Sequence, residues 1–106
     1  MGPVIFHVAL ASDWQRAQVS GRYEMSTLGR TLRDEGFIHA SHRHQVDGVV
    51  ERFYAAVTDP LVLLAIDPER LGCEVREEAP PGTDERFPHI YGPIPVAAVV
   101  EARRLR

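Results

Sequence analysis

The chain has 106 residues, 44% hydrophobic and 25% charged, with a net charge of −3 from 12 basic and 15 acidic side chains. That length suits one domain burying about two-thirds of its extended-chain surface, enough for one core and a surface cleft rather than a large internal cavity. The acidic balance argues against a nucleic-acid partner, the single cysteine (Cys73) excludes an intramolecular disulfide, and no apolar run reaches the roughly 18 residues of a membrane helix.

The N-terminal MGPVIFHVAL has no basic stretch ahead of its short apolar run, so it reads as a first strand rather than a signal peptide. The cytoplasm is the expected compartment, with no membrane partner. Residues 4–9 (VIFHVA) are β-branched and aromatic, as strands are. Ser12, with Gln15 three positions on, has the capping-box spacing and predicts a short helix over about 13–19 that Gly21 ends. Residues 27–33 predict one or two helical turns with Leu28 and Leu32 on one face. After Gly36, residues 37–41 (FIHAS) predict a short strand, and Ser41 suits the cap of the next helix. Val46, Val49, Val50, Phe53 and Val57 recur at helical spacing, predicting about four turns that Thr58, Asp59 and Pro60 stop.

Residues 61–66 (LVLLAI) are apolar throughout, which predicts a strand buried on both faces. Asp67 then caps a single turn with Pro68 at its first position. Residues 73–78 predict a strand with an exposed face, 79–86 (APPGTDER) a polar surface loop, and 96–102 (VAAVVEA) a last strand. Between them, 87–94 (FPHIYGPI) mixes aromatic residues with two prolines and a glycine that permits close approach. The order of elements predicts a single α+β domain. Neither the dinucleotide glycine fingerprint nor a phosphate-binding P-loop occurs.

Five histidines carry the functional question. His39, His42 and His44 crowd one stretch, EGFIHASHRHQ, but on a helix begun near His42 that residue lies by the apolar stripe and His44 opposite it. No HExxH or paired-cysteine spacing supports a metal site, so none is expected. His39 ends a strand where ligand contacts are common; it either faces a cleft or bonds a backbone carbonyl. Ser41 either caps the following helix or, with its free amides, holds an anion such as phosphate. His7 sits mid-strand, either as a satisfied core imidazole or opening into a cleft. The prolines around His89 and Tyr91 either present those side chains rigidly or blunt an edge strand. Ser41 lacks the G-x-S-x-G context of a hydrolase nucleophile, and Cys73 has no supporting local pattern.

These strings, I-F-H-V-A with Trp14 and Tyr23, E-G-F-I-H-A-S with Gln45, L-L-A-I-D, and F-P-H-I-Y-G-P-I, resemble those of the DUF952 family of small uncharacterised bacterial proteins. The resemblance implies a split mixed β-structure with two to three helices, of ADP-ribosyltransferase-like fold, with a cleft for NAD. By that resemblance His7 matches the first-strand residue that contacts the NAD ribose. Ser41 matches the second core strand, and Tyr23 is the candidate that stacks on nicotinamide. His89 and Tyr91 stand where a catalytic glutamate is expected, and Glu101 is the nearest downstream acid. The expected site is therefore His7 and His89 as catalytic residues, with Tyr23, His39, Ser41, Gln45 and Tyr91 binding a phosphorylated nucleoside such as NAD. The alternative is a non-enzymatic ligand- or protein-binding module that kept the fold without catalysis.

Overall fold

A computed structural model describes residues 3–106. Strand β1 (Ile5–Leu10) runs directly into helix α1 (Ala11–Ser20), followed by β2 (Arg22–Tyr23), the short helix α2 (Leu32–Glu35) and β3 (Ile38–His39). Helix α3 (Val46–Phe53) leads to β4 (Leu61–Ile66), β5 (Val75–Glu78), β6 (Phe87–Ile90), β7 (Ile94–Pro95) and β8 (Val99–Arg104). The strands form three antiparallel groups in the orders β1-β4-β8, β2-β7 and β3-β6-β5. The described residues form a single α+β domain with three helices.

Strand β4 shows why the apolar run 61–66 is continuous. It is central in its sheet, and its alternate side chains feed two cores. Leu61, Leu63 and Ala65 pack with Phe6, Val8, Val46 and Tyr54, while Leu64 and Ile66 pack with Ile5, Ala9, Ile38, Ile90 and Ile94. Strand β1 follows the same division, so both strands are apolar on both faces, with His7 as the exception.

Among the described residues one isolated backbone bridge joins two of the sheets. Phe6 and Ser41 exchange backbone hydrogen bonds of 2.8 and 2.7 Å, joining β1 to the chain just past β3. Beyond that pair the sheets diverge. All strand pairs among the described residues are antiparallel.

Local signals fared unevenly. The Asp67 turn forms as expected: Pro68–Arg70 is a 3-10 turn, and the Glu69 N–H donates to the Asp67 carboxylate at 3.0 Å. Gly92 permits the close approach its string suggested, because an added Cβ would lie 2.8 Å from Cys73 Cβ. Helix α1 starts at Ala11 without a side-chain cap, so Ser12 lies inside it; β1 feeds it with no intervening loop for Ser12 to close. Of residues 27–33 only Leu32 and Arg33 are helical, in a turn capped by Thr31 in a reciprocal box with Asp34 and stopped by Gly36 at φ 87°.

Helix α3 is shorter than its apolar pattern. A 3-10 turn, Arg43–Gln45, precedes it, and it ends at Phe53. Buried Tyr54 leaves the helix because its hydroxyl donates to the Val8 carbonyl at 3.3 Å. Val57 thus packs from a turn rather than from the helix, and the Arg106 guanidinium donates to the Tyr54 carbonyl and, at 2.6 Å, to that of Val57. Strand β6 is central between β3 and β5 despite Pro88, not an edge. The Pro88 carbonyl accepts from the Ala40 N–H at 3.0 Å, just past the last β3 pair, so its missing N–H falls where β3 ends.

Candidate functional site

A cleft of about 560 Å³ opens where the two sheets diverge. Its floor comes from β1 (His7, Val8), the end of β3 (His39 to Ser41) and Phe87 of β6. One wall is α3 with Val49, Arg52 and Phe53, continued by Tyr54 just past its end. Facing it are Thr27, Leu28 and Glu35, with Pro80, Pro81 and Thr83 from the β5–β6 loop. The size is that of a small-molecule site.

His7 is buried on this floor with both ring nitrogens taken. The His39 carbonyl can only accept, so Nδ1 carries the proton and donates to it at 2.5 Å. Nε2 must then accept, and the Tyr23 hydroxyl donates to it at 2.9 Å. Burial pushes the imidazole down to about 4, outweighing the carbonyl bond that favours its charged form. His7 is thus a neutral ring fixed in one tautomer. Tyr23 lies behind it, at 5.1 Å between ring centroids and edge-on; burial, then the nearby Asp13, raise its phenol well above the ordinary value. That edge-on contact does not present Tyr23 as a stacking surface in the cleft.

His39 is half-buried and faces the cleft. Its Nε2 lies 3.8 Å from Glu35 Oε1, and the Arg30 guanidinium is 3.2 Å from the same oxygen. Burial first, then the neighbouring His89 ring, lower the His39 imidazole below its usual range, with Glu35 opposing. The Ser41 side chain lines the cleft and makes no hydrogen bond to any described residue, leaving its hydroxyl available to a ligand. Ser41 caps no helix, however, since its backbone is committed to Phe6 and α3 begins five residues later. The phosphate cradle expected at a Ser41 helix start is absent. The cation in the cleft is Arg52, whose nearest carboxylate is Glu85 at 4.0 Å.

The remaining expected residues lie elsewhere. The Gln45 amide accepts from the His42 N–H at 2.9 Å and donates to the Arg86 carbonyl at 2.8 Å, tying the β5–β6 loop to α3. His89 pairs across strands with His39 but does not line the cleft; it is buried under Phe37, whose ring stacks on it at 4.1 Å. Its Nδ1 lies 2.8 Å from Glu78 Oε1, an oxygen the Tyr91 hydroxyl also reaches at 2.5 Å. His42 bonds Glu77 at 2.7 Å, and its ring stacks at 6.0 Å on His44. No group of three or more His, Cys, Asp or Glu among the described residues is arranged to hold a metal ion.

Two cleft residues were not singled out in the sequence. Glu35 opens the EGFIHAS string, but its nearness to His39 depends on the sharp turn at Gly36. Arg52 follows α3's apolar pattern on its polar side and carries no motif.

The fold and cleft define a small α+β domain with a ligand-sized opening between two antiparallel sheets. The chain belongs to the DUF952 family, described as a protein of unknown function, whose model matches residues 8–102. The crystal structure of protein CC0527 from Caulobacter crescentus is similar, with 31% identity and a TM-score of 0.81 over 97% of this chain and 86% of that one. A double mutant of CC0527 gives 30% identity and 0.81 over the same shares. Its solution NMR structure gives 31% and 0.74 over 93% and 81%. No curated protein matches the chain. No described helix is long and apolar enough to cross a membrane.

Proposed function

We propose that the cleft binds NAD or a related phosphorylated nucleoside, in a domain of ADP-ribosyltransferase-like fold. The observation that carries this reading is the company of groups in one cleft of about 560 Å³: a guanidinium (Arg52), a carboxylate (Glu35), an imidazole (His39) and a hydroxyl (Ser41) with no bond to another described residue, with Phe53 and Phe87 also in the lining. A guanidinium suits a phosphate oxygen, and aromatic rings suit a base. Glu35 supplies what an ADP-ribosyl-transfer or glycohydrolase step needs, a negative charge near the cationic sugar of its transition state. His39, 3.8 Å away, is the proton acceptor of that pair. His7 orients the β3 end through its bond to the His39 carbonyl. The free Cys73 agrees with a cytoplasmic setting.

Calorimetric or NMR titration with NAD, ADP-ribose and AMP tests the reading. Binding is expected, with Arg52→Ala weakening ADP-ribose about 10-fold, the loss of one charged contact worth about 1.4 kcal/mol. No binding at millimolar ligand refutes it. A second reading, a ligand- or protein-binding module without catalysis, is favoured by the fully bonded His7 and by His89 lying outside the cleft. NAD binding with no nicotinamide release over hours selects that second reading.

A further inference from the structure

Among the described residues, one buried side-chain polar atom lacks a hydrogen bond: Nε2 of His89. Such an atom costs stability, and its persistence calls for a reason. The other ring nitrogen is fixed. Glu78 accepts from it at 2.8 Å, and a carboxylate only accepts, so Nδ1 carries a proton, and in the neutral ring Nε2 is a bare lone pair. The Tyr91 hydroxyl bond first, then that of His89, hold the Glu78 carboxyl below its ordinary range, keeping it anionic. Phe37 covers one face of the His89 ring, at 4.1 Å and 16°. His39 meets it edge-on at 5.0 Å and 83°, from the directly paired position on β3. Of the two rings in contact with His89, only His39 carries an N–H.

We propose that His89, held by Glu78, is the proton acceptor behind His39. This rests on the reading of the cleft as a site where His39 takes a proton. His39 gains that proton from a ligand hydroxyl or water at one ring nitrogen. The proton on its other nitrogen passes to His89 Nε2, so one N–H bond breaks and another forms. His39 ends neutral with its tautomer exchanged, and the positive charge rests on an imidazolium 2.8 Å from Glu78. No co-reactant is consumed. Two imidazoles joined by an N–H···N bond of about 2.9 Å have centroids roughly 5 Å apart, which is the separation of these two rings. The charged and titratable groups around the pair are Glu35 with Arg30, Glu78 and Arg76 of β5, and Tyr91, over which Arg76 stacks at 4.4 Å.

Imidazole nitrogen NMR on the ligand-free chain reads this directly. His89 is expected as the Nδ1–H tautomer, with the His39 titration spread over two steps by its neighbour. In Glu78→Gln the His39 curve is expected to move to lower pH, by about one unit. In His89→Gln, His39 is expected to titrate in a single step. An Nε2–H tautomer at His89, or a His39 curve unmoved in Glu78→Gln, overturns the relay. Glu78 is part-exposed, so its variant keeps the test open if His89→Gln fails to fold. ADP-ribose titration of the same samples judges the cleft separately, since absent binding leaves the ring measurements intact.

Discussion

Acidification from pH 7 to pH 5 probes one buried imidazole. His7 is 3% exposed and bonded as a neutral ring on both sides. Its folded-state value, about 4, lies below the ordinary 6.5, so protonation favours the unfolded chain. The stability tied to neutral His7 is fully present above pH 6.5 and is lost as the pH falls through 4. Linkage over that gap amounts to about 3 kcal/mol, of which about 2 kcal/mol is gone by pH 5. His39, also held down, acts with the same sign. Urea unfolding at the two pH values measures this; a loss of that size lowers the midpoint by about 1–2 M for a domain this small. His7→Gln removes the titrating group and should lose less than half as much stability over the same interval. Equal losses in wild type and His7→Gln would refute the assignment of His7 as the buried neutral base.

Three further outcomes follow from single contacts. Tyr23→Phe leaves His7 Nε2 buried without its donor at 2.9 Å, and chemical denaturation should show a loss of about 1–3 kcal/mol. Gly92→Ala drives a methyl to within 2.8 Å of Cys73 Cβ and should cost about 1–3 kcal/mol, part of it recovered in a double variant with Cys73→Gly. Arg106→Ala removes the donor to the Tyr54 and Val57 carbonyls and should lower stability by about 1 kcal/mol, with faster amide exchange around Tyr54.

Much of the framework was legible because it rests on local chemistry. The continuous apolar run of β4 needs two cores, and two cores flank it. Asp67 followed by Pro68 makes a turn wherever it sits. The errors concern boundaries set by distant contacts. Ser12 and Ser41 are both good caps, yet neither caps, because β1 enters α1 directly and Ser41 is drawn into pairing with Phe6, 35 positions earlier. The pattern through Val57 reads as helix, but the bond from Tyr54 to Val8 turns the chain out of it.

The sequence by itself determined the class of domain, its apolar strands and turns, and the family strings that hold its unusual histidines. Periodicity and turn chemistry act over a few residues, so one strand's composition reports its own burial. Only the tertiary structure decided which polar groups meet. It brought Glu35 and Arg52 into one cleft with His39 and Ser41, spent Gln45 on a loop, and set His89 behind His39 with a nitrogen unbonded. Those outcomes depend on where two sheets part, and that is fixed by long-range pairing whose partners no local pattern names.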